Sequence, residues 1–217
     1  MNNETLFYGE PKKVFEGFYN VNGWGGDDPD CTSPYCNMLI DHIYHALDHV
    51  TLDGLYMEFG VYQGRTLRRI ANKINPKTVY GFDVFTTGLP EAWHCVPKGG
   101  FSIPVPEFEE ENIKLVVGLY EDTCKSFDSE DTIAFLHIDC DLYSSTKTVF
   151  DRFKNQIVSG TVIVFDEYYN YPGYEQHEYK AFKEFLEENS FVATPIGVMK
   201  TNAAAPASFV VTKKDAS

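Results

Sequence analysis

The sequence predicts one α/β domain, a three-layer sandwich with helices on both faces of a mostly parallel sheet. Short apolar runs alternate with helical patterns along most of the chain. The first of these runs ends in a glycine turn that opens a helix, and two later runs each deliver a pair of acids to their carboxyl ends. At 217 residues the chain is long enough to bury one full core and too short for two ordinary α/β domains.

Residues 1–34 mix aromatics with turn formers (Phe15, Phe18, Tyr19, Trp24, then Gly25-Gly26-Asp27-Asp28-Pro29-Asp30). That composition suits a docked arm or lid and leaves 35–217 as the domain proper. From Tyr35 to Val50, Met38, Leu39, Ile43, Leu47 and Val50 fall at helical spacing and place a helix before the sheet, which Asp53-Gly54 ends. Leu55–Phe59 reads as a short strand running into Gly60, with Leu67, Ile70, Ala71 and Ile74 marking the helix behind it. Thr78–Phe82 is a second strand, ending at Asp83. Strand patterns at Ile113–Val117, Thr132–Ile138, Thr161–Phe165, Phe191–Thr194 and Ser208–Val211 bring the count to seven, with helices over Thr146–Ile157 and Glu178–Glu188. Between Asp83 and Asn112, Gly88, Pro90, Pro97, Gly99, Gly100, Pro104 and Pro106 rule out a continuous helix or strand. Long insertions of this kind in compact domains often act as lids.

Lys and Arg are outnumbered 18 to 32 by Asp and Glu, a net charge of -14. The resulting field repels phosphate backbones and anionic lipid, so neither nucleic acid nor a membrane surface is an expected partner. No stretch approaches the roughly 18 apolar residues of a membrane span, and Met1–Glu10 lacks a signal-peptide pattern, so a cytoplasmic location is expected. The five cysteines (Cys31, Cys36, Cys95, Cys124, Cys140) are odd in number and scattered, which reads as reduced, mostly buried thiols. A homodimer is the default expectation for assembly.

The chemistry starts at Glu58-Phe59-Gly60-Val61-Tyr62-Gln63-Gly64. Two glycines at a strand-to-helix turn let a ligand approach bare backbone, with helix-start amides pointing outward. Alone, such a turn is equally a tight connection. Asp83 ends the second strand about 20 residues beyond Gly64, where Rossmann-type folds place a carboxylate for ribose hydroxyls. A dinucleotide site needs a middle glycine for the pyrophosphate, and Tyr62 stands there instead. S-adenosylmethionine has no pyrophosphate and tolerates that bulk.

Phe135-Leu136-His137-Ile138-Asp139-Cys140-Asp141 and Val162-Ile163-Val164-Phe165-Asp166-Glu167 are apolar strands ending in acids. In a parallel sheet both ends lie on one side, so Asp139, Asp166 and Glu167 converge as hard oxygen ligands suited to Mg²⁺. Such an ion lowers the pKa of a bound hydroxyl. Capping of the following helices is the plainer role for these acids, and it explains one acid per strand end rather than two pairs. Strand alternation puts His137 on the side of Asp139, where it reads more readily as a core histidine than as a site residue. Tyr168, Tyr169, Tyr171 and Tyr174 either floor an acceptor pocket or simply pack; the sequence leaves both open.

Glu58–Val61, Val79–Asp83, Gly88–Glu91, His137–Thr146 and Phe165–Tyr168 together resemble the macrocin O-methyltransferase (TylF-like) family over residues 55–190. The resemblance implies a Rossmann-like, seven-stranded sheet whose last strand is antiparallel, and a bound S-adenosylmethionine. It also implies Mg²⁺-dependent methylation of a small-molecule hydroxyl, often on a sugar attached to a natural product. By position, Glu58, Gly60 and Gly64 would line the methionine part of the cofactor and Asp83 the ribose, with Tyr62, Gly118 and Asp139 completing the cofactor site. Asp139, Asp166 and Glu167 would hold the metal, with Asp139 also the catalytic base. The chain departs from the family at Glu167, where Asp is common, moving that carboxylate out by about one methylene. The amino-terminal region is short for the family, and the alanine-rich stretch 201–207 has no counterpart in it.

Two other readings compete. Asp139-Cys140-Asp141 after an apolar strand also resembles the Asp-x-Asp of a metal-dependent glycosyltransferase, although the glycine turn and Asp83 argue against it. A catalytically silent cofactor-binding scaffold would keep the fold without the chemistry, and four placed acids argue against that.

Overall fold

The computed structural model describes residues 6–16 and 33–214. Its strands are β1 (Lys13–Glu16), β2 (Leu55–Phe59), β3 (Val79–Asp83), β4 (Ile113–Val117), β5 (Ile133–Ile138), β6 (Val162–Tyr169), β7 (Phe191–Lys200) and β8 (Ala205–Lys213). They form a single sheet in the order β1-β7-β8-β6-β5-β2-β3-β4. Every neighbouring pair is parallel except those of β8, which runs antiparallel to both β6 and β7.

The described sheet therefore has eight strands, not seven. The additional strand comes from the arm: β1 pairs parallel with β7, from Lys13 opposite Gly197 to Glu16 opposite Lys200. Its four residues bury only Phe15 within an aromatic and turn-rich segment, too short a pattern to announce a strand. Leu6 and Phe7 are buried against the core, and the Tyr168 hydroxyl donates to the Leu6 carbonyl at 3.3 Å. Phe18, Tyr19, Trp24 and residues 25–30 lie outside the described residues, and the described part of the segment extends a sheet edge.

Among the described residues, five helices flank the sheet: α1 (Pro34–Leu47), α2 (Arg65–Ile74), α3 (Tyr120–Ser126), α4 (Tyr143–Phe153) and α5 (Glu178–Glu188). Pro34 opens α1 with its φ preset, and the Ser33 hydroxyl caps it by accepting from the Cys36 amide. Strand pleating divides the core into two layers. Met57, Phe59, Leu136, Ile163 and Phe165 pack with Phe150, Phe153, Phe182 and Phe185 of α4 and α5. Tyr56, Phe135, Val162 and Val164 pack with Ile43 and Leu47 of α1 and with Leu67 and Ile70 of α2. Among the described residues, no helix is long and apolar enough to cross a membrane.

Three segments are more extended than their residue types suggest. β6 continues to Tyr169, so Asp166 and Glu167 lie within it, where its ladder to β8 breaks between Phe165 and Tyr169. β7 and β8 reach Lys200 and Ala205, which reduces the alanine-rich stretch to a short hairpin connection. The carboxyl ends of β2, β3, β5 and β6 consequently meet along one edge of the sheet.

Candidate active site

The turn between β2 and α2 turns back sharply: Gly60, Tyr62 and Gly64 have φ of 96°, 48° and 78°. The carboxylate of Asp83 fastens it. Its Oδ2 accepts from the amides of Val61 and Tyr62, each at 2.8 Å, and its Oδ1 accepts from that of Phe85 at 2.8 Å. A carboxylate offers about four acceptor positions, so one remains toward the cleft.

That cleft is bordered by Gly60, Tyr62, Asp83, Gly118 and Asp139 of the expected cofactor set, and by Asp166 and Glu167. Glu58 and Gly64 do not border it. Met57 and Phe59 face the α4–α5 layer, so pleating turns Glu58 the other way. There, fully buried, its Oε1 accepts from the Thr66 hydroxyl and lies 2.8 Å from His137 Nδ1. Gly64 is covered by the Phe108 ring, which a side chain at that position would strike.

One oxygen from each of Asp139, Asp166 and Glu167 lies within 4.8 Å of the other two. Burial first, then the charges of Asp166 and Asp141, hold the Asp139 carboxyl well above the usual carboxylate range. Burial, then Asp141, does the same to Glu167; burial raises Asp166 against the opposing charge of His137. Asp141 is pushed up to about 7, chiefly by burial. Asp166 Oδ1 and Glu167 Oε2 are buried without a hydrogen-bond partner among the described residues. Crowded, unsatisfied carboxylate oxygens are a donor set that a hard divalent cation satisfies, and Mg²⁺ fits it. Capping does not account for these acids, because the residue before α4 is Leu142 and no side chain caps that helix.

Residues outside the sequence-derived set complete the site. Glu178, fully buried at the start of α5, accepts from the Cys140 amide at 2.9 Å and pins the turn that carries Asp139 and Asp141. The insertion after β3 forms a roof through Leu89, Pro90 and Phe101, and the Phe101 ring meets Tyr62 edge-on at 5.8 Å. Trp93 packs on Tyr171 at 5.8 Å, and the Ser144 hydroxyl donates to the Glu91 carboxylate. The four tyrosines pack rather than border the cleft: Tyr168 is wholly in the core and Tyr171 supports Trp93. Cys36, Cys124 and Cys140 are buried and Cys95 is exposed; Cys31 lies outside the described residues.

A glycine turn, a carboxylate at the next strand end and acids on two further strand ends define a nucleotide-type transferase site on an open α/β sheet. Residues 57–168, just over half of the chain, match the Methyltransferase domain family, and the chain belongs to that family. No curated protein matches it in sequence. Among solved structures it is similar to CalS11, described as a calicheamicin methyltransferase, at 22% identity and TM-score 0.62 over 80% of this chain and 79% of that one. A further structure describes CalS11 as a TDP-rhamnose 3'-O-methyltransferase. The O-methyltransferase NovP is similar at 19% identity and TM-score 0.61, over 81% and 80% of the two chains. TomG of Streptomyces achromogenes, an O-methyltransferase of tomaymycin synthesis in complex with SAM, follows at 14% identity and TM-score 0.53, over 88% and 85%. These likenesses establish a shared Rossmann-like fold with an antiparallel last strand. Membership of a methyltransferase family removes the glycosyltransferase reading of Asp139-Cys140-Asp141.

Proposed function

We propose that this chain transfers the methyl group of S-adenosylmethionine to a hydroxyl of a small molecule, a sugar or sugar-bearing natural product, in the manner of the macrocin O-methyltransferases. The carrying observation is the convergence of Asp139, Asp166 and Glu167 in the same cleft that Gly60, Asp83 and Gly118 border. The descriptions of CalS11 and TomG support an acceptor of this class.

In this reading Asp83 offers its remaining acceptor position to the ribose, and the bare backbone of Gly60 and Gly118 admits the cofactor closely. Asp139, Asp166 and Glu167 would hold Mg²⁺, which when bound lowers the pKa of an acceptor hydroxyl. Asp139 takes the hydroxyl proton as the oxygen attacks the methyl carbon, and the thioether S-adenosylhomocysteine leaves. The roof of Leu89, Pro90 and Phe101 limits water in the cleft and holds the two reactants together.

Calorimetric titration with S-adenosylhomocysteine, with and without Mg²⁺, tests the proposal, followed by methylation assays on nucleotide sugars and glycosides. Micromolar cofactor binding and Mg²⁺-dependent methylation are expected. A folded protein that does not bind S-adenosylhomocysteine overturns the cofactor reading; full turnover in excess chelator overturns the metal.

A further inference from the structure

We propose that His137 is a positioning residue for Asp166, itself anchored by Glu58 and Thr66, so that a buried chain of side chains presents Asp166 to a divalent cation. The inference rests on the cation reading of the acidic cluster.

The sheet register builds this chain. Glu58 of β2 stands directly opposite His137 of β5, and His137 stands opposite Val164 of β6. Asp166 is two residues beyond Val164 and shares its face, so Glu58, His137 and Asp166 form one row across three adjacent strands. Glu58 and His137 are wholly buried. His137 Nδ1 lies 2.8 Å from Glu58 Oε1, the oxygen that also accepts from the Thr66 hydroxyl. The other ring nitrogen, Nε2, lies 4.0 Å from Asp166 Oδ1. Among the described residues, neither of those two atoms has a hydrogen-bond partner.

An unsatisfied ring nitrogen alone marks no site, since the core residue His42 also leaves its Nδ1 unbonded among the described residues, and what sets His137 apart is where its edge points. His137 satisfies one, and its unsatisfied edge faces an unsatisfied oxygen of a candidate ligand. The hydrogen bond between Nδ1 and Glu58 fixes which edge of the ring faces Asp166. One Asp166 oxygen drawn toward Nε2 leaves the other for the cation. Ligating carboxylates depend on such partners, whose loss typically weakens metal binding 10–100-fold. Neither Glu58 nor His137 borders the cleft, so each acts through Asp166 and not on the substrate.

The test is Mn²⁺ binding to the full-length chain, followed by electron paramagnetic resonance, with metal-free S-adenosylhomocysteine calorimetry alongside. His137→Asn keeps a donor for Glu58 but falls short of Asp166, whereas His137→Gln carries an amide nitrogen toward the place of Nε2. Mn²⁺ affinity is expected to fall about 10–100-fold in His137→Asn, to recover largely in His137→Gln, and to leave metal-free cofactor affinity unchanged. Glu58→Gln, which preserves shape, should weaken Mn²⁺ binding in the same direction and serves if His137→Asn fails to fold. Wild-type Mn²⁺ affinity in His137→Asn or in Glu58→Gln overturns this inference alone. Parallel loss of Mn²⁺ and cofactor affinity, with His137→Gln no better than His137→Asn, assigns His137 a purely structural role and also overturns it. A wild-type chain that binds no Mn²⁺ overturns the cation reading beneath it.

Discussion

A Cβ placed on Gly60 would lie 1.8 Å from the carbonyl oxygen of Asp139. The strand end that opens the cofactor turn and the strand end that carries the candidate base are thus in direct backbone contact, reinforced by the Asp139 amide donating to the Phe59 carbonyl at 2.8 Å. Gly60 also has φ of 96°, which a side chain disfavours. Gly60→Ala is expected to cost at least about 2 kcal/mol, roughly 4–8 °C in Tm for a chain of this size, and to lose cofactor affinity with it. Thermal melts and S-adenosylhomocysteine titration check this. Wild-type values in both would show that the strand ends separate freely.

Asp139 borders the cleft within reach of both neighbouring acids, which places it for proton removal from an acceptor. Asp139→Asn preserves shape and removes the base. Single-turnover methylation is expected to slow by about 10²–10⁴-fold, the usual contribution of a general base, with S-adenosylhomocysteine affinity nearly intact. A rate close to wild type would take Asp139 out of the proton transfer.

Strand ends were legible in the sequence because an apolar run closed by glycine or by paired acids marks the point where a buried strand reaches the sheet edge. Parallel pairing alone then puts Asp139, Asp166 and Glu167 on one edge. The face of the sheet onto which each side chain turns was less legible. The family resemblance implied Glu58 at the cofactor, whereas the pleat turns its carboxylate toward Thr66 and His137. Gly64 sits under Phe108, a ring from the irregular insertion that no periodicity could bring there. Glu178 was missed because its partner, the Cys140 amide, is 38 residues away and a glutamate at a helix start has an ordinary electrostatic role. β1 was missed because only one of its four side chains is buried.

Trp93 anchors the roof. It is 7% exposed and belongs with Leu142 and Tyr171 to a small cluster separate from the two main core layers. The strap beside it is held by main-chain bonds from Leu89 to Gly100 and from Gly99 to Leu89, both 2.9 Å. Trp93→Ala removes the anchor without touching the main core, so opening should be local. Amide exchange at Leu89, Gly99 and Gly100 is expected to quicken by at least about tenfold, equivalent to about 1.4 kcal/mol of local stability, while global Tm moves little. A uniform loss of protection across the sheet would show instead that the roof and the core unfold together.

His42 gives stability a pH dependence of its own. It is fully buried on α1, with Nε2 2.9 Å from the Ser208 hydroxyl, and burial is the main cause that lowers its pKa to about 3. The Gly197 carbonyl opposes that shift, while the charges of His45, His137 and Lys13 add to it. An unfolded chain takes up the proton near pH 6.5, and the folded chain does so only near 3. Between those values the unfolded state binds more protons, so the His42 contribution is complete above about pH 6.5 and declines as pH falls. Two pH units below that point the loss is about 2.7 kcal/mol. His42→Gln lacks this titration, and urea unfolding at pH 7 and pH 4.5 should show the stability gap between wild type and variant shrinking by about that amount. A gap that stays constant would mean that folded His42 accepts the proton in place, with its pocket opening to receive the charge.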